Sequence, residues 1–389
     1  MLRIGLSLFV LVAAVVSLSF VSTRLWGGKP QETAAERPLV FNETMSVAEF
    51  GRANNLPPEL LKKAFQLTSQ ADAQKPVAAF KMTEAQLSGK IEQALAIRAE
   101  HASKNWAKIL TKFLLWFVFL ASIFVAVKRR KITSANRKWL YLLSVAIFGV
   151  ILGSDPSPMG TVKDAIVLLG SKHVIFPPRL IAFSVFLVMV VLANKFICAW
   201  GCQLGTLQDA IFRLNRDAKD RKGLLKQVKV PFAVSNVVRV SCFVALIAAA
   251  FLWSTDIVEP IDPFKLFKPK ALGLAGGVFA GLILALSLFV YRPWCHFFCP
   301  FGLVGWLVEK LSVFKIHVDY DKCTACRACA KACPSTVMGA ILESDRIVPD
   351  CFSCGVCIET CPVEAISFTC GKRRRPPENK FPKDKSTQQ

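Results

Sequence analysis

Histidine is scarce in this chain, with four among 389 residues, at positions 101, 173, 296 and 317. No two fall at matching depth in two apolar stretches, which argues against a haem held by a histidine pair. Acidic residues are short as well, 27 against 49 basic ones, for a net charge of +22. Such an excess can mark a nucleic-acid binder, but only where the basic residues gather on one folded face or arm. Here they sit beside long apolar runs, the placement that membrane orientation demands, so membrane lipid rather than nucleic acid is the expected partner. A signal-peptide cleavage site is missing too. The apolar run after Met1-Leu2-Arg3 meets no small-x-small pattern and is expected to stay as an uncleaved anchor.

What is present is apolar: 53% of residues are hydrophobic and the mean hydropathy is +0.43, high for a soluble protein. Charged borders mark six stretches, 4–23, 113–127, 139–154, 180–194, 240–255 and 271–291. Several are shorter than the roughly 20 residues a spanning helix needs, and snorkelling of Lys112, Lys195 and Arg239 would lengthen them. The basic cluster Lys128-Arg129-Arg130-Lys131 with Arg137-Lys138, and the basic loop 213–229, assign the cytoplasmic side. Both termini then lie inside, in a multi-pass protein of a bacterial inner (cytoplasmic) membrane. The expected divisions are an anchor (1–23), an extracytoplasmic small helical module (24–108), a membrane core (109–314), a cytoplasmic iron-sulfur domain (315–370) and a basic tail (371–389) that can touch anionic lipid. Within the outer module, residues 46–50 and 56–61 read as two short helices, and 83–102 as a helix running into the second span. Its role is either docking of a partner or simple spacing.

The 14 cysteines carry the chemistry. Cys323-x2-Cys326-x2-Cys329-x3-Cys333-Pro334 is followed by Cys351-x2-Cys354-x2-Cys357-x3-Cys361-Pro362, two copies of the bacterial iron-sulfur run. In that run the fourth cysteine crosses to the other cluster. One 4Fe-4S cluster is therefore expected on Cys323, Cys326, Cys329 and Cys361, and the other on Cys351, Cys354, Cys357 and Cys333. Zinc sites use paired spacings rather than two interlocked triplets. Short strands at 316–318 and 365–368 bracket an α+β diferredoxin-like fold, whose small core leaves the clusters to supply much of the folding energy.

A second pattern lies nearer the membrane. Cys198-x3-Cys202 ends the fourth stretch and Cys295-x3-Cys299-Pro300 ends the sixth. Aligning Cys198 with Cys295 also aligns Cys202 with Cys299 and Gly205 with Gly302, a two-fold internal repeat. Residues one helical turn apart share a face, so four thiols can converge at the cytoplasmic rim. They can form a third metal or iron-sulfur centre, act as redox-active thiols, or pack as small hydrophobes. His296, between two of them, reads as a packed or capping side chain before it reads as a ligand. Cys242 lies within the fifth stretch and reads as inert, and Cys370 as a free thiol.

With Cys-Ala-Trp-Gly-Cys at 198–202, Cys-His-Phe-Phe-Cys-Pro at 295–300 and the two iron-sulfur runs, residues 139–370 resemble the ferredoxin-type membrane proteins of periplasmic nitrate reduction and methylamine utilisation, the NapH/MauN type. The resemblance implies four spans with two Cys-x3-Cys motifs before a cytoplasmic diferredoxin, and electron movement between quinol and partner redox proteins. Gln203 stands where the family usually has Pro. No flavin-attachment motif is recognisable and no Ig-like domain follows Cys370, which sets the chain apart from the nitrous oxide reductase regulator and cbb3 oxidase assembly branches.

Two functions follow. One is an electron-transfer subunit of an oxidoreductase system, linking a membrane carrier, expected to be quinone or quinol, to a redox partner protein. Lys163, Asp164 and His173 are its candidate quinol-side residues, and the catalytic residues are otherwise open. The other is an assembly or redox-sensing factor for a respiratory enzyme. Lys322, Arg327 and Lys331 surround the first cysteine triplet, whereas Glu343, Asp345, Asp350 and Glu359 lie near the second, so the first cluster is expected to be the easier to reduce.

Overall fold

The computed structural model describes residues 2–26, 40–42, 44–67, 69–80, 82–217, 219–220, 222–378 and 380–381. Residues 27–39 of the expected outer module and 382–389 of the basic tail lie outside them.

The protein is helical, and among the described residues three helices are long and apolar enough to cross a membrane: α1 (Leu2–Leu25), α5 (Trp106–Lys128) and α11 (Phe232–Trp253). The other expected spans are shorter. α6 (Ser134–Ser144) passes into a π-helical turn, Val145–Ile151, while α8 (Pro177–Ala193) and α12 (Leu274–Leu286) have 17 and 13 residues. α8 stops because Asn194 turns to φ 57°.

Between α1 and α5, helices α2 (Val47–Ala53), α3 (Pro58–Ala64) and α4 (Glu84–Ser103) enclose a separate small core of Val47, Phe50, Leu61, Val77 and Ile91. Ser46 and Glu49 cap α2 reciprocally, as Thr83 and Gln86 cap α4. The sequence reading of one helix running on from 83–102 is corrected at Lys104-Asn105. There α4 ends and Asn105, accepting from Lys108 N at 3.1 Å, starts α5 afresh.

The membrane region turns back on itself twice. After α7 (Pro158–Lys172) and α8, the chain enters α9 (Phe196–Trp200), breaks, and returns as α10 (Gln203–Leu214). After α12 it repeats the pattern with α13 (Pro293–Phe297) and α14 (Pro300–Val308). Trp116, midway along the 23-residue α5, donates from Nε1 to Gly201 O at 2.9 Å. The α9–α10 break is therefore level with the middle of a spanning helix.

Lys112, Lys195 and Arg239 do not snorkel. All three are buried, because the fold offers internal acceptors: Lys112 Nζ donates to Gly153 O at 2.8 Å, and Lys195 and Arg239 both pair with Asp350.

The C-terminal domain pairs β1 (Phe314–Val318) antiparallel with β2 (Ile366–Cys370), Ile316 opposite Phe368, and carries α15 (Ala328–Ala332), α16 (Val337–Leu342) and α17 (Val356–Thr360) between them. Its apolar core is continuous with that of the membrane helices. The basic loops grip it. Arg130 donates to Glu364 O and Ile366 O at 2.6 and 3.0 Å, Arg137 to Cys354 O at 3.2 Å, Arg216 to Ala332 O at 3.2 Å and Lys229 to Ala330 O at 2.7 Å. The described part of the tail also folds back on this domain, with Arg373 Nε on Ile316 O at 3.1 Å and Phe381 against Tyr320.

Candidate functional site

Each cysteine triplet is wound by residues that are not glycine alone. Ala325 and Arg327 in the first loop, and Ser353 and Gly355 in the second, take positive φ of 55°, 54°, 49° and 78°. For three of them this left-handed backbone is held against a steric cost by the packing around it. The turns bring the crossed sets together: Cys329 lies within electrostatic reach of Cys361, Cys323 and Cys326, and Cys357 of Cys354, Cys333 and Cys351. Cys333, Cys351, Cys354 and Cys357 line one cavity, walled by Ile316, Met338 and Val356. Among the described residues no three His, Cys, Asp or Glu side chains close around a single ion. Two runs of four thiols each are the donor set of four-iron clusters, each of which takes four sulfurs. Burial pushes the Cys329 and Cys351 thiols up to about 12 and Cys357 well above its ordinary value. Iron binding has to displace those protons. The donor set thus fits iron-sulfur clusters.

The charges expected to bias the second cluster are spent elsewhere. Glu343 pairs with Arg327 of the first loop at 2.9 Å, Glu359 with Arg137 at 2.9 Å, and Asp350 with Lys195 and Arg239. Lys322 and Lys331 remain exposed beside the first triplet. Replacing both by Met is expected to lower one midpoint potential in an EPR-monitored titration and leave the other in place; equal shifts in both would refute an asymmetric field.

The membrane cysteines do not share one helical face. Cys198 lies in α9 and Cys202 caps α10; Cys295 lies in α13 and Cys299 caps α14 with Pro300 after it. The helix break between each pair lets two thiols turn inward, and all four fall within electrostatic reach of one another, deeper than the cytoplasmic rim. Backbone N–H groups of Leu204 and Gly205 point at Cys202 sulfur, and those of Phe301 and Gly302 at Cys299 sulfur. The two glycines are needed for close approach. A Cβ on Gly205 would sit 2.6 Å from Cys198 O, and one on Gly302 2.5 Å from Cys295 O. Gly205→Ala and Gly302→Ala are each expected to destabilise by about 1–3 kcal/mol, read as a lowered midpoint of thermal unfolding, whereas Gly281→Ala, with open space around it, serves as the control.

Lys195 and Arg292 are site residues that hydropathy and motif spacing do not single out. Each stands three residues before the first cysteine of its pair and reaches into the other pair's loop. Lys195 Nζ donates to Gly302 O at 2.5 Å and Arg292 Nη1 to Cys198 O at 2.6 Å. The repeat alignment that matches the cysteines also matches these two cations, which is the signal that could have found them. His296 turns Nδ1 to the carbonyl oxygens of Tyr291 and Arg292 at 2.9 and 3.2 Å, a capping role that occupies this nitrogen. Cys242 is half-buried in α11 and Cys370 exposed at the end of β2. Of the quinol-side candidates, Asp164 lines an apolar cavity near the start of α5, Lys163 is turned to Asp256 and Glu259, and His173 caps the far end of α7.

The segment joining the two regions is 350–353. Phe352, beside Cys351, lies under the Arg292 guanidinium at 4.6 Å and against the rings of Tyr291 and His296 at 5.8 and 5.5 Å. Trp200 Nε1 reaches Ser353 O at 3.4 Å.

Comparison with known proteins agrees with this chemistry. A family described as a 4Fe-4S dicluster domain matches residues 315–366, and one described as a 4Fe-4S binding domain matches twice, at 175–222 and 272–319. YccM of Escherichia coli (strain K12), named for electron transport, is 31% identical over 48% of this chain and 54% of its own length. The chain thus spans about half of that relative. The ferredoxin-type protein NapH of Haemophilus influenzae is 25% identical over 53% of this chain and 69% of its own. A ferredoxin of Methanothermococcus thermolithotrophicus is 38% identical over 13% of this chain and 93% of its own. No solved structure is significantly similar to the chain. The C-terminal region belongs to the 4Fe-4S dicluster ferredoxins, and the longer chain is similar to ferredoxin-type membrane electron-transport proteins such as YccM and NapH.

Proposed function

We propose that the protein relays electrons between a quinone or quinol in a bacterial inner membrane and a cytoplasmic redox partner protein. In this reading α1, α5, α6 with its π turn, α8, α11 and α12 span the membrane, and the last four form two copies of one unit. Residues 1–23 anchor the chain, 24–108 form a module outside, 109–314 the core, and 315–370 with the tail 371–389 face the cytoplasm. Cys323, Cys326, Cys329 and Cys361 hold one 4Fe-4S cluster, Cys351, Cys354, Cys357 and Cys333 a second, and Cys198, Cys202, Cys295 and Cys299 a third centre. Bound clusters supply one-electron redox chemistry. The chain's own residues fix the sulfurs, exclude water and set the surrounding charge.

One observation carries the reading. The membrane cysteines and the second triplet lie along one packed path, in which Phe352, next to Cys351, lies under Arg292, which binds the Cys198 carbonyl, and Cys357 is within electrostatic reach of Cys329 in the first triplet. A sensing domain needs no such continuity through the membrane. The test is anaerobic mixing of the full chain in nanodiscs with a short-chain quinol and a low-potential viologen acceptor, followed by EPR and absorbance. Electron passage at turnover rates supports the relay. Overturning it would take a family partner enzyme that, once matured, works at full rate without this chain, and centres that exchange electrons with neither reagent.

A further inference from the structure

A cavity of about 460 Å³ lies at the end of α5 remote from the iron-sulfur domain, within the usual range for a bound small molecule. Its walls include Trp106 and Phe113, and two of its apolar lining residues, Leu110 and Ile181, are 67% and 65% exposed on the outer surface. Its polar lining comprises Ser157, Thr161, Lys104, Arg179 and two carboxylates, Asp155 and Asp164. Arg179, which also lines it, contacts Asp164 at 3.4 Å and Glu100 at 2.5 Å, and Lys163 joins Asp164 to Asp256 at 2.9 and 2.5 Å, so the carboxylate end connects to a chain of ion pairs.

The cavity also leads to the membrane thiols. Phe113 in its wall stacks on Phe186 at 5.6 Å, and Phe186 meets Phe301 at 6.3 Å, two residues beyond Cys299. Phe113 also meets Trp116 at 5.4 Å, whose indole binds the carbonyl of Gly201, the residue before Cys202. Two aromatic routes thus join one cavity wall to the loops of the two capping cysteines.

We propose that this cavity is the quinol-binding site, with the ring inside, its hydroxyl groups donating to the carboxylates of Asp155 and Asp164, and its tail leaving between Leu110 and Ile181. The proposal rests on the relay reading above and gives it a place. A neutral, two-hydroxyl ring suits apolar walls with acceptors at one end, whereas an anionic phosphate would meet two carboxylates and two cations, Lys104 and Arg179, that are already paired with Glu100. The site depends on α5, which lies ahead of the region that resembles the NapH/MauN type.

The test uses the full chain in nanodiscs of phosphatidylcholine and phosphatidylglycerol, with a decyl-tailed benzoquinol and its quinone as probes and tryptophan quenching as the readout. The wild type is expected to bind both. Asp155→Asn with Asp164→Asn, isosteric changes, is expected to weaken the quinol by about tenfold or more and the quinone by less than about threefold. Ala182→Phe, which fills the cavity, is expected to weaken both forms, with iron content and unfolding midpoint unchanged. Quinol binding that survives all three substitutions overturns the cavity site and leaves the relay standing. A probe that binds no form of the protein overturns the site and the membrane-carrier half of the relay together. A photoactivatable phospholipid that labels Phe113 and is not displaced by quinol makes the occupant lipid and overturns the site alone.

Discussion

Anaerobically purified protein is expected to carry about twelve irons and twelve acid-labile sulfides per chain, three cubanes' worth. Cys202→Ser together with Cys299→Ser is expected to lower both to about eight while leaving the ferredoxin-type EPR signals in place. The separation is possible because these two thiols sit at the starts of α10 and α14, outside the eight cysteines of the two iron-sulfur runs. A wild type with about eight irons, unchanged in the double variant, would make the membrane cysteines free thiols. Four buried thiols closer to one another than to water would then be a redox pair system, detectable as a two-electron titration without a paramagnetic signal.

Asp350→Asn is expected to cost about 3–5 kcal/mol and to loosen the iron-sulfur domain, seen as a lowered unfolding midpoint and faster proteolysis after residue 312. Asp350 is wholly buried and is the counter-ion of both Lys195 and Arg239; Arg239 Nη1 also donates to Gly302 O at 3.1 Å. Removing one negative charge strands two cations in a dry interior, which is far worse than never having built the pair. Because Lys195 steadies the loop of Cys299, iron at the membrane centre should fall as well. Asp345→Asn, on the more accessible side of the domain, is the comparison. A loss below about 1 kcal/mol would mean that water reaches the site and screens it.

Much of this is legible in the amino-acid sequence. The interlocked spacing of eight cysteines announces a ferredoxin-type 4Fe-4S domain on its own, because no other common site needs two triplets each followed by Cys-Pro. The strands are legible too, although β1 begins two residues before the expected 316–318 and β2 begins one residue after the expected Ala365 and runs on to Cys370. Hydropathy fails where helices are interrupted. Residues 180–194 read as one span that the cysteine pair at 198–202 ends, yet the chain turns back at Asn194 and re-enters, since a re-entrant segment buried in protein has no need of a long apolar run. For the same reason the spacing of the cysteine pairs suggests one helical face at the rim: that spacing is helical, but Gly201 and Pro300 sit at breaks that spacing alone does not reveal. Lys195 and Arg239 illustrate the other failure. Their partner, Asp350, is more than a hundred residues away, and a flanking cation looks the same whether it will reach lipid headgroups or a buried carboxylate.

The exchange of cations between the two cysteine loops also bears on the order in which the protein can be made. Arg292 leaves the ribosome long after the Cys198 loop it secures, and Lys195 waits for the Gly302 carbonyl and then for Asp350. Neither half can close alone, and the final lock is delivered by the domain synthesised last. Packing of the two cysteine loops therefore becomes a late event of biogenesis, and a chain stalled or cleaved before residue 350 leaves Lys195 and Arg239 without the carboxylate that pairs them.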